Sequence, residues 1–396
     1  MPDFAKSAEP GISQSTERHD LELVGHSDIG GCGDAMQLMV HGDLLYAGHM
    51  GPHGLTILDV NRPDSPEIVG VVEAPRGASS PKVQIADGLL LTNAEQRSDV
   101  VPERTGLGVY DLGDPARPRM LGFFETTGVG VHRMWYAGGA YAYVSAEIAG
   151  YVGRIFLVID LSDPEHPTEA GRWWWPGQWE AGGEKPDWVS PLAIELHHGI
   201  ISGGVSYTGL WDGGLVVLDV SDPTNPTVLS RTSWAPAEGG ATHTALPLAS
   251  RDLLVVTDEA VRDNCEEPPK RIRVFDIADG DPRLLSLCPE PRGDFCERGL
   301  WFGAHNLHEN SPGTYHSESV IFATYANAGL RVYDLEDPRD PREVAHYIPN
   351  PGPGKPVCQS NDVVIDQRHL IYLSDRVGGG VSILRPTGDL PGLMSR

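Results

Sequence analysis

The sequence GLTILDVNRPDSPEIVG, residues 54–70, contains the pattern that decides the fold. A run of β-branched and aliphatic residues ends at Asp59, a turn containing proline follows, and a second strand-like run contains Gly70. Proline fixes φ in such a turn and aspartate hydrogen-bonds the nearby backbone, so the pattern predicts two strands joined by a tight turn. Five further copies follow at intervals of about fifty residues: 107–122, 155–171, 214–230, 272–286 and 329–345.

The segments between these copies contain two more strand-like runs each, as in MQLMVHGDLLYAGHM from Met36. Four strands per repeat are typical of a β-propeller blade. Six copies leave a ring open, but residues 361–386 contain three more strand-like runs, and LELVGHSD from Leu21 matches the missing fourth. We therefore predict an all-β fold, a seven-bladed β-propeller closed by pairing of the N- and C-terminal strands in one blade. The alternative, a parallel solenoid, does not need matching termini.

Composition narrows the functional classes. With 30 Lys and Arg against 55 Asp and Glu, the net charge of −25 would repel a phosphate backbone, so no nucleic-acid partner is predicted. No apolar run approaches membrane-spanning length, so no membrane partner is predicted either. The first residues lack the basic flank and apolar stretch of a secretory signal, which favours a cytoplasmic location. Residues 1–20 are expected to be a disordered N-terminal segment and 21–396 a single propeller domain.

The cysteines show no paired CxxC spacing, which favours unpaired thiols. One pair is an exception, because Cys265 and Cys296 fall in adjacent loops of the predicted ring. The sequence leaves open whether these two form a disulfide, since it cannot establish the distance that a bridge needs.

Histidines recur at the start of the predicted inner strand in four successive blades. His132 precedes Gly138 by six residues and His197 precedes Gly203 by the same six, so these two histidines are at equivalent positions. His243 and His305 fit the same position by strand pattern. Because inner strands line the central channel of a propeller, the sequence predicts that the four imidazoles meet at the channel mouth. Each one alone is more readily explained as a hydrogen-bonded core histidine.

A cluster of neutral nitrogen ligands favours a divalent transition metal over calcium or magnesium. We therefore predict a metal site, with Fe(II) favoured and Cu, Mn or Zn as alternatives. The return loops reach the same face, and there Glu147 and Glu259 are the candidate catalytic carboxylates, either orienting a histidine or acting as a base. Solvated loop charges are the alternative for both. The candidate substrate-pocket residues come from long aromatic loops and from the remaining channel histidines: Trp175, Trp179, Trp301, His49, His198 and His308.

These segments together resemble the bacterial LVIVD-repeat family of seven-bladed β-propeller proteins. The resemblance rests on GGCGDAMQLMVHG, GVHRMWY, GRWWWPG, ATHTALPL, DEAVRDNC and GAHNLHEN, and it covers nearly the whole chain. It implies the propeller but no particular reaction. Related chains often have a histidine in the second blade where this sequence has SSPKVQ, residues 79–84, and that departure affects the expected ligand count or substrate.

The sequence predicts a metal-dependent enzyme that acts on a small organic substrate. The four histidines are similar in arrangement to the iron site of carotenoid-cleaving dioxygenases, which are unrelated in sequence. An oxygenase-type oxidation is favoured because no carboxylate is evident among the predicted ligands. A metal-dependent lyase or hydrolase is one alternative, and a non-enzymatic interaction or metal-binding propeller is another. The oligomeric state is left open.

Overall fold

The computed structural model describes residues 17–188 and 193–396 and contains seven four-stranded antiparallel sheets, the blades of a β-propeller. This confirms the predicted fold. Two strands precede blade 1 in the chain, β1 (Arg18–His19) and β2 (Leu21–Ser27).

Blades 1 to 3 follow. Blade 1 contains β3 (Ala35–His41), β4 (Leu44–His49), β5 (Leu55–Asp59) and β6 (Glu67–Val72). Blade 2 contains β7 (Val83–Ala86), β8 (Leu89–Ala94), β9 (Thr105–Asp111) and β10 (Arg119–Thr126). Blade 3 contains β11 (Gly130–Trp135), β12 (Tyr141–Glu147), β13 (Ile155–Asp160) and β14 (Thr168–Trp173).

Blades 4 to 7 complete the ring. Blade 4 contains β15 (His198–Ser202), β16 (Val205–Gly209), β17 (Leu215–Asp219) and β18 (Thr227–Thr232). Blade 5 contains β19 (Thr242–Leu248), β20 (Leu253–Asp258), β21 (Ile272–Asp276) and β22 (Arg283–Leu287). Blade 6 contains β23 (Val320–Thr324), β24 (Leu330–Asp334) and β25 (Arg342–Tyr347). Blade 7 contains β26 (Ser360–Ile365), β27 (Ile371–Asp375) and β28 (Gly380–Pro386).

The N-terminal strand closes the ring as predicted. β2 is the outer strand of blade 7 and pairs antiparallel with β28, with Leu23 opposite Leu384 and Ser27 opposite Val381. Leu21 is buried in the cluster that fills the space between blades 6 and 7. β1 adds to the outer edge of blade 6 by pairing with β25, so Arg18–His19 is part of the sheet structure. Residues 1–16 of the predicted terminal segment lie outside the described residues.

Within residues 17–188 and 193–396, helical structure is confined to short segments: the 3₁₀ turns Glu180–Gly182, Pro236–Glu238, Ala249–Arg251 and Asp263–Cys265, and the C-terminal α-helix α1 (Leu390–Met394). In the described parts of the chain, no helix is long and apolar enough to cross a membrane.

The glycine that recurs in the repeat permits close packing between blades. It lies at a register shift in the outer strand, and a Cβ atom at this position would meet a backbone oxygen in the proline-containing turn of the next blade. The distances from that Cβ to the oxygen are 1.7 Å for Gly25 and Pro63, 2.1 Å for Gly70 and Ala116, 2.5 Å for Gly122 and Pro164, and 2.3 Å for Gly171 and Pro223. The backbone of one blade therefore packs directly on the turn of the next.

Cys265 and Cys296 form a disulfide, which resolves the alternative that the sequence left open. The bridge joins the loop after β20 to the long connection between β22 and β23. Cys32, Cys288 and Cys358 are free thiols. Disulfides are more usual in oxidising compartments than in the cytosol, so the bridge gives no support to the predicted cytoplasmic location.

Candidate active site

A cavity of about 470 Å³ opens at the mouth of the central channel. Its volume is within the range of small-molecule sites. The lining combines the four predicted histidines with two carboxylates, four cations, two tryptophans and a few other side chains: His132, His197, His243, His305, Glu95, Glu259, Lys82, Arg97, Arg154, Arg376, Trp211, Trp301, Met36, Gln96 and Val261.

Irregular backbone at the start of the inner strands positions the histidines. The pairing of β11 with β12 shifts between Val131 and Arg133, so His132 lies at the bulge. The pairing of β19 with β20 shifts between Thr242 and Ala245, which places His243 in the same kind of irregularity. Such bulges redirect a side chain from the alternating faces of a strand, and here they turn imidazoles toward the channel mouth.

The four imidazoles contact one another in the order of their blades. The Nε2 atoms of His132 and His197 are 3.1 Å apart. The ring centroids of His197 and His243 are 3.7 Å apart, and those of His243 and His305 are 4.3 Å apart. Histidines separated by more than 170 residues in the sequence are thus brought into one cluster, as the repeat register suggested.

Hydrogen-bond acceptors fix the Nδ1 atoms of His132 and His305, the first and last imidazoles of the cluster. His132 Nδ1 lies 2.8 Å from Glu95 Oε1, and His305 Nδ1 lies 3.0 Å from the carbonyl oxygen of Asn361. Each Nδ1 therefore carries the proton and donates it, which leaves a lone pair on Nε2. Both lone pairs face the interior of the cluster, the arrangement that metal-binding histidines usually show.

Burial keeps all four imidazoles neutral near pH 7. It lowers the pKa of His132 to about 4, although the Glu95 carboxylate opposes the shift. Burial also lowers the pKa of His305, and burial together with neighbouring imidazoles lowers the pKa values of His197 and His243 well below the usual range. Neutral imidazole is the form that binds a metal ion.

Glu259 brings a carboxylate into the cluster. Its Oε1 is 3.2 Å from His305 Nε2 and its Oε2 is 3.8 Å from His243 Nε2. His197, His243 and Glu259 each offer one ligand atom, and these three atoms lie within 4.8 Å of one another. Burial raises the pKa of Glu259, but His305 and Arg376 outweigh it and hold the value at about 2. The sequence-based premise that no carboxylate lies among the imidazoles is therefore wrong.

Glu147, the other predicted carboxylate, does not contact the imidazoles among the described residues. It pairs through its backbone with Gly130, and burial and the nearby Glu195 raise the pKa of its carboxyl. The carboxylate on His132 is instead Glu95, which also accepts a hydrogen bond from Arg97. Both glutamates follow a second strand, but the bridge between Glu95 and Gly130 carries the Glu95 side chain across to the next blade.

The predicted substrate-pocket residues are divided between the cavity and other places. Trp301 lines the cavity, with the Arg376 guanidinium 3.8 Å from its ring centroid. Trp175 instead packs against the core of blades 3 and 4, and Trp179 is 40% exposed beside Trp174. The Trp175 to Trp188 loop therefore contributes no side chain to the cavity as it stands.

The three remaining histidines are also outside the cavity lining, since each is held by partners elsewhere. His49 lies in blade 1, with Nδ1 2.7 Å from Asp34 and Nε2 2.8 Å from Thr56. His308 is buried in the core of blade 6, 2.7 Å from the carbonyl oxygen of Tyr315.

His198 lies deeper in the protein, beside a buried ion pair. Its Nε2 is 3.0 Å from Glu309 Oε1, and the same carboxylate binds the fully buried Arg133. The alternation of a strand explains this position, because His198 follows His197 directly and points to the opposite side.

Sequence analysis did not predict three cations of the cavity, Lys82, Arg97 and Arg154. Lys82 lies in the SSPKVQ segment, whose departure from related chains was the available signal. Arg97 and Arg154 lie in loops that carry no strand pattern, so their positions depend on tertiary structure alone.

Comparison with known proteins supports the fold. A profile of the LVIVD repeat matches residues 32–74, 136–173 and 200–232, in blades 1, 3 and 4. This confirms the resemblance seen in the sequence. No curated protein matches the chain.

Two solved structures show the similarity in three dimensions. The periplasmic gluconolactonase PpgL of Pseudomonas aeruginosa has a TM-score of 0.59 and 13% identity, with 87% of this chain and 99% of that chain covered. The computationally designed protein Ika8 has a TM-score of 0.53 and 10% identity, with 88% and 82% covered. At these identities the likeness extends to the fold alone.

Proposed function

This chain is an LVIVD-repeat propeller protein, and we propose that its channel mouth binds one divalent transition metal ion and hydrolyses a small organic ester or lactone. The observation that carries the proposal is the fixed direction of the imidazoles. Glu95 and the Asn361 carbonyl hold the Nδ1 protons of His132 and His305, so that both Nε2 lone pairs face the imidazole cluster. Ligand atoms of His197, His243 and Glu259, which lie within 4.8 Å of one another, form the centre of that cluster.

Further contacts support a cation at that centre. His305 Nε2 and Glu259 Oε1 are 3.2 Å apart, and because Nδ1 of His305 already donates its proton to the Asn361 carbonyl, a cation, either a second proton or a metal ion, is needed between these two atoms. His197 Nδ1 and His243 Nε2 are buried without a hydrogen-bond partner among the described residues. We assign His132, His197, His243 and His305 as the nitrogen ligands and Glu259 as the oxygen ligand.

The position of Glu259 also bears on the reaction. The expectation of an oxygenase rested on the absence of a carboxylate among the ligands, and Glu259 removes that basis. A divalent ion held by the histidines and Glu259 would activate water as a nucleophile and polarise a carbonyl group. In the proposed reaction water adds to the acyl carbon and the ester C–O bond breaks, which yields a carboxylate and a hydroxyl group. One protein of similar fold is described as a gluconolactonase, which makes lactones the first substrates to test.

The protein's own residues orient the ligands and enclose the substrate. Glu95 fixes the His132 ring, and the Asn361 carbonyl fixes the His305 ring. Trp301 and Trp211 provide apolar surface beside the imidazoles. Replacing Glu95 by glutamine should lower metal affinity or activity by about 10–100-fold, because carboxylates that hydrogen-bond metal ligands usually have effects of this size. Glu259→Gln should have at least as large an effect, because Glu259 is assigned as a ligand itself. Glu147→Gln is expected to have a smaller effect.

The test begins with elemental analysis of protein purified without chelator, which identifies the ion among Fe, Cu, Mn and Zn. Calorimetric titration of the chelator-treated protein should then show one bound equivalent. His243→Ala should abolish both this binding and the hydrolysis of a lactone panel. His166→Ala is the matched control, because His166 is an exposed residue of a surface turn paired with Asp163. Stoichiometric binding that persists in His243→Ala would refute the metal site, and oxygen uptake without hydrolysis would restore the oxygenase.

A further inference from the structure

The cavity contains four cationic side chains, and two of them are neutralised within the protein. Arg97 Nη1 is 2.9 Å from Glu95 Oε2, and Arg154 Nη2 is 3.0 Å from Glu195 Oε1. These two pairs need no further anion. The remaining cations, Lys82 and Arg376, are in a different situation.

Lys82 is a buried cation in the cavity lining, and no carboxylate of the described residues lies at ion-pair distance from it, although Asp362 and Glu95 are near enough to affect its pKa. Its residue is only 2% exposed, and in residues 17–188 and 193–396 no ion-pair or hydrogen-bond partner approaches its ammonium group. Burial and the nearby Arg133 lower the pKa of Lys82, although Asp362 and Glu95 oppose the shift. Since a buried unpaired charge is costly, this ammonium group is suited to an anion that enters from the cavity.

Arg376 is the second cation without a carboxylate partner in the described chain. Its Nη1 donates a 3.3 Å hydrogen bond to Asn361 Oδ1, and its guanidinium stacks on Trp301 at 3.8 Å. The stacking and the hydrogen bond hold the group in place, while its remaining N–H groups stay available. Guanidinium groups bind carboxylates and phosphates through two parallel hydrogen bonds.

Both cations lie close to the imidazole cluster. Burial is the main cause of the lowered pKa values of the four imidazoles, and the charge of Lys82 contributes to each of them. The charge of Arg376 likewise contributes to lowering the pKa values of His305 and Glu259. Lys82 precedes β7 in blade 2 and Arg376 follows β27 in blade 7, so the two flank blade 1, whose residue in the cavity lining is Met36.

We propose that the substrate is an organic anion, a carboxylate or a phosphate ester, whose acidic group lies between Lys82 and Arg376. The part that reacts then extends from blades 7, 1 and 2, which contribute no histidine to the cavity lining, toward the imidazoles, with Trp301 beside it. The substrate assignment rests on the proposed function, whereas anion binding itself does not require the metal. The protein's net charge of −25 repels anions in general, so these cations select for an anion at this one place.

The test measures binding of three probes by calorimetry: benzoate, phenyl phosphate and the neutral benzyl alcohol. Benzoate or phenyl phosphate should bind to the wild-type protein at least ten times more tightly than benzyl alcohol, and the comparison of the two distinguishes a carboxylate site from a phosphate site. Lys82→Met and Arg376→Gln should each weaken anion binding by tenfold or more. Lys355→Met, which changes an exposed lysine, should leave it unchanged.

Two further measurements separate this inference from the proposed function. His243→Ala should lose metal but keep benzoate binding, whereas Lys82→Met should keep metal and lose benzoate binding. Lys82→Met should also melt at or above the wild-type temperature, because it removes a buried unpaired charge. Equal affinity for benzoate and benzyl alcohol, or anion binding lost in His243→Ala but retained in Lys82→Met, would overturn the proposal.

Discussion

Replacing Gly25 by alanine tests the packing of one blade on the next at the point where the ring closes. The Cβ atom of alanine would lie 1.7 Å from the Pro63 carbonyl oxygen, and Cβ contacts below 3.0 Å essentially never occur in proteins. The turn of blade 1 and strand β2 must therefore separate by about 1.3 Å or more, the difference between these two distances. Both contacting groups are backbone, so a side-chain rotation cannot relieve the clash.

The magnitude follows from the usual cost of overpacking. Inserting a methyl group into a packed site costs about 1–3 kcal/mol, and a backbone clash of this depth belongs at the upper end, about 3 kcal/mol. The entropy of unfolding is about 0.8 kcal/mol per kelvin for a chain of this length, which converts the cost into a fall in Tm of about 4 °C.

Differential scanning calorimetry provides the measurement, with two companion variants. Gly122→Ala has a milder clash, with the new Cβ atom 2.5 Å from the Pro164 oxygen, and should show a smaller fall. Gly392→Ala lies in α1 in open space and should be neutral or slightly stabilising, since alanine favours helix by about 1 kcal/mol over glycine. If Gly25→Ala melts within 1 °C of the wild type, the close packing of β2 on the blade 1 turn is wrong.

Three other predictions concern the closing strand, the disulfide and a buried carboxylate. Deleting residues 1–27 should lower Tm by more than Gly25→Ala does, while deleting 1–16 should have a small effect in the same calorimeter; equal effects would argue against closure by β2. Reducing the disulfide between Cys265 and Cys296, which are 31 residues apart, should destabilise the protein by up to about 4 kcal/mol and lower Tm by about 5 °C. An unchanged thermal transition after confirmed reduction would contradict this prediction. Burial raises the pKa of Glu309, but its buried ion pair with Arg133 and the nearby His198 hold that pKa at about 2, below the ordinary 4.5. The ionised Glu309 carboxylate therefore contributes its full stabilisation above about pH 4.5, and this stabilisation is lost as the pH falls toward 2. Glu309→Gln should therefore flatten the decline of Tm with acid, and parallel declines in the two proteins would count against the pair.

The sequence by itself determined the propeller, because strand alternation, turn chemistry and repeat period are local features. The match between the segment at Leu21 and the outer strands was enough to predict closure. The repeat register was also enough to bring His132, His197, His243 and His305 together, since equivalent positions in successive blades face the same channel. Glycine in the outer strand was visible as a recurring residue, and the structure explains it by the approach of the next blade's turn.

Tertiary structure decided which of the remaining candidates join the site beside the four histidines, Glu259 and Trp301. Glu95 and Glu147 follow similar strands, yet Glu95 contacts an imidazole because it bridges to the neighbouring blade, a contact that no spacing within one repeat encodes. His198 differs from His197 by one position and faces a buried ion pair, because successive side chains point to opposite sides of a strand. Lys82 lies in the cavity lining with no ion-pair partner among the described residues, and only the packing of the blades shows which partners a charged group has.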